Sequence, residues 1–288
     1  IAVAGPAHRN AATLGGNLCQ DTRCIYYNQS EWWRAANGWC LKLKGDTCHV
    51  APQGKRCHAA YEGDVAAALL AYGAEVEIVG DGPSWRRPLA ELYREDGAAH
   101  LTLAPRELVA AVHLPAGKPG QRSAFRKMRT RGTMDFPLAS VAVVLRLEGG
   151  TLAELAVGIS GTHSAPIALA GTHTLLGRPV DDALLAALGK LVAKQVSPMR
   201  STVTAANHRR LVAVTTTQRL VRELAAARSH AASSDEHGRT PAAAGPARRS
   251  GAGGNAAARA GQRNQRRAAG RAGRRARPGR GRRRHLGA

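Results

Sequence analysis

The sequence predicts an α+β protein, in which strands and helices occur in separate runs along the chain. Two observations support this class: short alternating apolar segments dominate residues 74–159, and longer helical segments follow up to residue 224. Strands followed by helices typically form a sheet that the helices cover. A third observation, a cysteine-rich segment without regular periodicity before residue 60, predicts an irregular insert in this fold.

The positive charge is concentrated at the C-terminal end of the chain. The formal charge is +22, and residues 228–288 contribute 16 basic and two acidic residues to it. This segment has no aromatic residue and cannot bury enough apolar surface to offset the entropy of ordering, so we expect residues 227–288 to be disordered. Its arginines could bind nucleic acid non-specifically, but a plain extension, or GC-rich codons translated out of frame, would give the same composition. The charge therefore assigns no nucleic-acid partner to the folded part.

The apolar segments are too short for a membrane protein. None approaches the roughly 18 residues that a membrane span requires, which predicts a soluble protein with no membrane partner. Residues 1–19 lack the charged-then-apolar pattern of a secretory signal, so we expect a cytoplasmic location. The chain begins at Ile1, which indicates a processed N-terminus or a fragment.

The first distinctive motif is the segment TLGGN at residues 13–17. Gly15 and Gly16 permit positive φ angles and a close approach of the backbone to a ligand. Thr13 and Asn17 offer a hydroxyl and an amide for hydrogen bonds. A Gly-Gly pair more often marks an ordinary turn, so the motif alone leaves both interpretations open.

The cysteines form the second distinctive feature. All five lie between residues 19 and 57, together with three of the four tryptophans. Long segments without periodicity inside a compact domain tend to be functional. Four thiolates beside aromatic side chains predict a metal or cluster site of low dielectric. The four cysteines concerned are Cys24, Cys40, Cys48 and Cys57.

Three interpretations compete for these cysteines. A disulfide framework expects an even count and an oxidising compartment, neither of which the sequence indicates. Structural zinc is typically held by C-x-x-C pairs, whereas the gaps here are 15, 7 and 8 residues. An iron–sulfur cubane also needs four thiolates and tolerates irregular spacing, which favours it modestly. His49 and His58 each follow a cysteine, and adjacent residues rarely both reach one metal.

The remaining elements can be predicted in order. A helix is expected over 64–72, with Asp64 as N-cap and Gly73 after its end, followed by strands at 74–79 and 108–114 and a helical turn at 88–93. A hairpin is expected from strands 140–147 and 152–159. Helices are expected over 164–176, 181–196 and 202–224, the last with Leu211, Val214, Leu220 and Val221 on one stripe.

These segments together resemble a known family. TLGGN resembles the flavin-contacting loop of the FAD-binding subunits of the xanthine dehydrogenase family of molybdenum hydroxylases. The segment from Phe125 to Val141 (FRKMR, then DFPLASV) resembles the opening of their C-terminal domain. Ordinary members pass almost directly from GGN to the helix at Asp64, but this chain has about forty residues between them. That insert resembles the one in the β (flavoprotein) subunits of 4-hydroxybenzoyl-CoA reductases, which binds an additional [4Fe-4S] cluster.

The resemblance, over roughly residues 1–226, implies a domain organisation. Residues 1–117 would form the second lobe of a PCMH-type FAD-binding domain, with the [4Fe-4S] insert at about 20–60. Residues 118–226 would form a CO-dehydrogenase-flavoprotein-like C-terminal domain of a small antiparallel sheet plus helices, and residues 227–288 the disordered basic tail. The first FAD-binding lobe of the family would precede residue 1, so a chain that starts there is expected to bind FAD weakly or not at all.

The resemblance also implies site residues. Cys24, Cys40, Cys48 and Cys57 would hold the cluster, and Cys19 would be spare. No residue of this chain would be catalytic on the substrate. The FAD contacts would come from Thr13, Leu14, Gly15, Gly16, Asn17, Asp64 and Val109, and from Arg126 or Lys127.

The function implied is that of an oxidoreductase subunit in aromatic degradation. Electrons from ferredoxin would pass through [4Fe-4S] and FAD, and then through [2Fe-2S] centres on a small subunit, to a large molybdenum-cofactor subunit that converts 4-hydroxybenzoyl-CoA to benzoyl-CoA. A dimer of such heterotrimers would be expected. The alternatives are the FAD subunit of another xanthine dehydrogenase or CO dehydrogenase-type hydroxylase, and a zinc-stapled binding module. The basic cluster at residues 126–131 could face a phosphate, a partner subunit or solvent.

Overall fold

The structure is a computed structural model that describes residues 4–132 and 134–227. The predicted disordered tail lies, from residue 228 onward, outside the described residues. Within them the α+β class is confirmed, with two small antiparallel sheets and six α-helices. No helix in the described part of the chain is long and apolar enough to cross a membrane.

The first sheet is three-stranded, with the strand order β2-β1-β3 and antiparallel pairing throughout. Its strands are β1 (Glu75–Val79), β2 (Trp85–Pro88) and β3 (Leu108–His113). Side chains of a strand alternate between the two faces, so Val76 and Ile78 are fully buried while Glu75 is exposed. The two buried side chains pack with Leu89 and Leu92 of a short 3-10 helix in one apolar cluster. The predicted strands at 74–79 and 108–114 are therefore found, whereas β2 was not predicted.

The second sheet is four-stranded and antiparallel, with the order β4-β5-β6-β7. The first seven residues of β5 are buried on both faces of the sheet. Such two-sided burial explains the nearly continuous apolar sequence of this strand. The four strands are β4 (Gln121–Met128), β5 (Ala139–Glu148), β6 (Thr151–Ser160) and β7 (Ile167–Ala168).

Helices cover both faces of the second sheet. On one face α5 (Asp182–Gln195) and α6 (Ala206–Ala226) form the largest apolar cluster with β5 and β6. On the other face α4 (Ala66–Ala71) contacts β5 and β6 through small side chains. Its approach is so close that a Cβ atom on Gly158 would overlap the carbonyl of Ala67. This contact joins the segment before residue 117 to the sheet that follows it.

Two predicted helices require correction. Residues 164–176 do not form a helix, because Ile167 and Ala168 pair with the edge of β6 as strand β7. After that pairing Gly171 adopts a left-handed φ of 80°, so only a 3-10 turn at Thr172–Leu175 forms. The final helix begins at Ala206 rather than at 202, and Leu211 of its predicted stripe is 56% exposed. The helix predicted over 181–196 is confirmed, with Asp181 as its N-cap.

Candidate functional site

The flavin loop, defined here as residues 13–17, folds as the start of a short helix, α2 (Leu14–Leu18). The hydroxyl of Thr13 accepts a hydrogen bond from the amide of Gly16 at 3.0 Å and so caps this helix. Gly15 and Gly16 do not adopt the positive φ angles that glycine permits. A Cβ atom at residue 15 would lie 3.0 Å from the carbonyl oxygen of Val109 on β3, so glycine avoids a tight contact there.

Hydrogen bonds to Val65, Tyr61 and Tyr93 hold the flavin loop and the residue that follows it. The side-chain oxygen of Asn17 accepts from the amide of Val65 at 3.2 Å. The Tyr61 hydroxyl lies within 3.0 Å of the Leu18 carbonyl oxygen, and the Tyr93 hydroxyl within 3.1 Å of the same atom. Burial raises the pKa of both phenols, so they remain neutral donors. Sequence reasoning missed these two tyrosines, which have no motif of their own.

The sequence predicts Asp64 as the N-cap of α4, and this prediction is wrong. The N-cap residue of α4 is Val65 and no side chain caps the helix. Instead, the Asp64 carboxylate forms an ion pair with the Lys127 ammonium at 2.6 Å, and the two side chains are only 11% and 7% exposed. Burial raises the pKa of Asp64, and the hydrogen bond from Lys127 opposes that rise.

The alternative basic residue, Arg126, lies elsewhere. Neighbouring side chains of β4 point to opposite faces of the sheet. Lys127 therefore meets Asp64, while the guanidinium of Arg126 pairs with the carboxylate of Glu223 on α6 at 3.1 Å. Of the two candidates, only Lys127 faces the predicted flavin residues.

A cavity of about 310 Å³, called here the polar cavity, opens beside the Asp64–Lys127 pair. His8 of α1 (Pro6–Ala11) and Arg131 also line it. It therefore borders charged side chains from segments that are far apart in sequence, such as Asp64 and Arg131. The flavin loop supplies none of its walls and lies instead against Val65, which directly follows Asp64.

The cysteine insert, defined as residues 20–60, brings its four cysteines to one place. All four side chains are 8% exposed or less and line a single small cavity, called here the cysteine cavity. Tyr26 and Tyr27 line it as well, so the predicted aromatic wall is found in part, whereas Trp32 is 77% exposed. All five cysteines are free, and Cys19 does not contribute to the lining.

Backbone amides point at two of the cysteine sulfurs. The Sγ atom of Cys57 accepts from the amide of Ala59 at 3.4 Å, and the amides of Tyr26 and Tyr27 lower the pKa of Cys24. Burial has the larger effect and raises the pKa of Cys57 to about 11 and that of Cys24 above its ordinary value. The thiols of Cys24 and Cys57 are therefore neutral at pH 7 unless a cation replaces their protons. Amides directed at sulfur are one way in which proteins tune iron–sulfur centres.

A buried cation stands next to this cavity. The Lys42 side chain is 5% exposed and its ammonium bonds to the Asp21 carboxylate at 2.7 Å and the Gly97 carbonyl at 2.9 Å. The same ammonium lies 4.9 Å from the centre of the Tyr27 ring and lowers the pKa of Cys57. A positive charge here would stabilise negative charge on the cysteine sulfurs.

Two measurements bear on what the cysteine cavity could hold. Its volume is about 10 Å³, roughly that of one water-sized probe, so any cluster would require the sulfurs to move outward. Within residues 4–132 and 134–227, no group of three or more His, Cys, Asp or Glu side chains is arranged to hold a metal ion. The donor chemistry suits a metal or cluster, whereas the closed arrangement does not by itself form a site.

Comparisons with known proteins agree with the fold and with an FAD-binding domain in the first part of the chain. Residues 1–117 match the family described as the FAD binding domain in molybdopterin dehydrogenase. Residues 123–224 match the CO dehydrogenase flavoprotein C-terminal domain. The matches occur in the order that the resemblance implies, and they meet near the linker that precedes β4.

Two curated relatives are similar in sequence. The chain is 36% identical over 150 residues to the aldehyde oxidoreductase FAD-binding subunit PaoB of Escherichia coli, covering 49% of this chain and 47% of PaoB. It is 30% identical over 131 residues to the carbon monoxide dehydrogenase medium chain of Afipia carboxidovorans, and this match covers 45% of this chain and 43% of that medium chain. The matches thus span about half the length of these relatives.

Solved structures show the same fold. The described fold is similar to a chain of the Cu,Mo-CO dehydrogenase, with a TM-score of 0.60 and 22% identity over 78% of this chain and 64% of that one. Quinoline 2-oxidoreductase from Pseudomonas putida 86 gives a TM-score of 0.55 at 18% identity over 77% and 64%. In sequence order, the chain thus resembles the FAD binding domain in molybdopterin dehydrogenase over residues 1–117 and the CO dehydrogenase flavoprotein C-terminal domain over residues 123–224.

Proposed function

We propose that this chain is the electron-transfer flavoprotein part of a molybdenum-dependent oxidoreductase and that it binds FAD at the flavin loop. The observation that carries the proposal is a convergence of segments distant in sequence. Gly15 packs on the backbone of Val109, Asn17 bonds to the residue after Asp64, and Asp64 pairs with Lys127. Four segments that the family resemblance implies as FAD contacts thus adjoin one another.

The residues of this site would have distinct tasks. The flavin loop has little side-chain bulk at Gly15 and Gly16, so its backbone can approach the FAD phosphates and ribose closely. The Asp64–Lys127 pair would fix the orientation of the nucleotide, and its partial burial strengthens charge-assisted hydrogen bonds. When bound, FAD supplies the ability to accept and release electrons, and the protein supplies binding, orientation and electrostatics.

The cysteine insert is, in this proposal, a second redox site holding a [4Fe-4S] cluster. Support comes from the convergence of Cys24, Cys40, Cys48 and Cys57 on one cavity, from the amides that face sulfur, and from the buried ammonium of Lys42. A structural zinc site would use the same four thiolates without redox chemistry. The amides and the buried cation favour the cluster, because both stabilise a group whose charge changes.

The cysteine insert also supports a finer proposal for the whole enzyme. Its resemblance to 4-hydroxybenzoyl-CoA reductases suggests ferredoxin as donor, a large molybdenum subunit and a small [2Fe-2S] subunit as partners, and a cytoplasmic dimer of heterotrimers. The substrate would then be 4-hydroxybenzoyl-CoA. The alternative is the FAD subunit of a hydroxylase like those of the relatives, in which the cysteines have a structural role.

Titration of the chain with FAD tests the proposal. We expect weak but saturable quenching of flavin fluorescence, and a still lower affinity for Asp64→Asn, which keeps the side-chain shape but removes the ion pair with Lys127. The matched control is Asp81→Asn, since Asp81 is 68% exposed and pairs only at the surface with Arg106. Equal affinities for the two variants would contradict the site, and no saturable binding at any FAD concentration would contradict the function.

A further inference from the structure

A cavity of about 350 Å³, called here the apolar cavity, lies where the cysteine insert meets the second half of the chain. Ile25 of the insert lines one side, and Leu138, just before β5, and Val203, between α5 and α6, line the other. The amide of Ile25 donates to the carbonyl oxygen of Ser201 at 2.9 Å, so a backbone hydrogen bond joins the two sides. Pockets that take small organic molecules begin at roughly 300 Å³, so this cavity is large enough for one.

The apolar cavity is lined by a different set of residues from the proposed FAD site. None of the residues that the resemblance implies as FAD contacts lines it. Its walls include the apolar side chains of Ile25, Phe136, Pro137 and Leu138, and Phe136 is 48% exposed. An apolar body could therefore enter beside the Phe136 ring and replace water along these walls.

The charges that line the apolar cavity do not cancel. They belong to Arg23, Glu62, Arg131 and Asp135. Arg131 and Asp135 form an ion pair at 2.9 Å, and hydrogen bonding from Arg131 lowers the pKa of Asp135 to about 2. Glu62 is 3% exposed, and burial raises its pKa to about 8, so it is largely neutral at pH 7. One positive charge, that of Arg23, is left without a counter-charge.

The guanidinium of Arg23 also lacks an acceptor. None of its nitrogens donates a hydrogen bond within residues 4–132 and 134–227, and Nε is buried. Its central carbon lies 5.4 Å from the centre of the Phe136 ring, a contact that orients the group but supplies no acceptor oxygen. A buried donor without a partner is costly, and the planar fork of a guanidinium matches two adjacent oxygens.

The charge balance selects the class of ligand. A monocarboxylate carries one negative charge, which matches the single unbalanced charge of Arg23. A phosphate ester carries about −1.5 to −2 charges at pH 7 and would leave negative charge against apolar walls. A cationic ligand would be repelled by Arg23.

We propose that the apolar cavity binds a small organic monocarboxylate, whose carboxylate bonds to Arg23 and whose apolar body packs against Phe136 and Leu138. This inference goes beyond the proposed function and requires neither FAD nor a metal. Binding changes no covalent bond.

Calorimetric titration of the full chain with cyclohexanecarboxylate, at pH 7 and low salt, tests the site. We expect saturable binding, and binding of cyclohexanecarboxamide, which has a similar shape without the charge, that is weaker by about tenfold or more. Arg23→Gln should weaken carboxylate binding by a similar factor. The matched control is Arg86→Gln, which removes the charge of an exposed arginine on β2 outside the cavity and should bind like the wild type.

Several results would overturn the inference. They are the lack of saturable carboxylate binding, equal affinities for the carboxylate and the carboxamide, and full carboxylate affinity in Arg23→Gln. Acetate that binds as tightly as cyclohexanecarboxylate would exclude a role for the apolar walls, and tighter binding of inorganic phosphate would exclude the ligand class. Circular dichroism checks that Arg23→Gln folds. If it does not, the comparison of carboxylate with carboxamide on the wild-type chain decides.

Discussion

The flavin loop and the cysteine insert are adjacent in sequence but are fixed by different kinds of contact. The flavin loop rests on regular elements: Gly15 packs on β3 and Asn17 bonds to the residue before α4. The cysteine insert contains one short helix, α3 (Glu31–Ala36), and depends on turns and on bonds from side chains to backbone. The first region is held by regular elements, whereas the second is held by backbone hydrogen bonds outside regular elements, such as the pair between Arg23 and Ala60, and by side chains such as Lys42.

Charge separates the two regions as well. The flavin loop lies next to the partly buried ion pair of Asp64 and Lys127. The cysteine cavity is lined by four buried thiols, and the ammonium of Lys42 lies beside them; burial raises the pKa of Cys24 and Cys57. Metal binding to thiols requires loss of their protons and couples to folding. We infer that the flavin site is preformed and that the cysteine site takes its open form only with its cofactor.

The largest expected effect concerns the cysteine insert alone. Cys40→Ser should remove essentially all cluster iron, because a cubane requires four thiolates, and should leave FAD affinity unchanged. Cys19→Ser is the matched control, since Cys19 lies outside the cysteine cavity. Iron and acid-labile sulfide analysis checks the prediction. Full iron content in Cys40→Ser would disprove the ligand assignment.

A second prediction concerns the buried carboxyl group of Glu62 and the pH dependence of protein stability. The folded chain holds the Glu62 proton up to about pH 8, whereas an ordinary glutamate releases it near 4.5. The free energy of unfolding should therefore fall as pH rises between these values, by on the order of 1.4 kcal/mol per pH unit. Glu62→Gln should lack this component.

Urea denaturation of both proteins at several pH values measures the difference between them. Other groups titrate equally in the two proteins, so their difference isolates Glu62. A wild-type minus variant difference that does not change from pH 5 to pH 8 would show that Glu62 is ionised throughout.

A third prediction concerns the packing of the flavin loop. Gly15→Val should destabilise the fold by about 1–3 kcal/mol and weaken FAD binding, because the added carbons meet the Val109 carbonyl. Iron content should not change. Gly82→Val is the control, since a Cβ atom there meets no atom within 4 Å. Thermal unfolding measures the stability of both variants, and FAD titration measures their affinity. Equal stability and equal FAD affinity of Gly15→Val and Gly82→Val would contradict the prediction.

The smallest effect is expected at Tyr61. Tyr61→Phe leaves carbonyl oxygens under the flavin loop without this donor and should lower the free energy of unfolding by about 1 kcal/mol. Tyr72→Phe, which loses an exposed bond to Ser123, should cost less. Urea denaturation measures the free energy of unfolding of both variants. A larger decrease for Tyr72→Phe than for Tyr61→Phe would show that the Tyr61 hydroxyl does not stabilise the flavin loop appreciably.

The regular elements were predictable where local pattern and tertiary contacts agree. Helix α5 follows from Asp181 and its leucine spacing, and β5 from its apolar run. The helix expected over 164–176 failed because edge pairing with β6 gives Ile167 and Ala168 a partner that no local pattern reveals. The expected cap role of Asp64 failed likewise, because Lys127 is 63 residues away in sequence.

The candidate site was predictable by residue type but not by geometry. The four cysteines and the flavin loop were identifiable from the sequence as candidates. The four cysteine side chains are buried and line one cavity, whereas their ligand role and the FAD contacts of the flavin loop remain predictions. Tyr61, Tyr93 and Glu62 were missed because their roles depend on what surrounds them. A glutamate in sequence is ordinarily exposed, and only burial without a partner distinguishes Glu62.

The proposed second redox site in the cysteine insert can be tested directly. The test is the iron and acid-labile sulfide content of anaerobically purified protein, with low-temperature EPR after reduction. We expect about four irons and four sulfides per chain with the signal of a reduced cluster. Zinc in place of iron, with no sulfide, would contradict it and make the insert a structural staple.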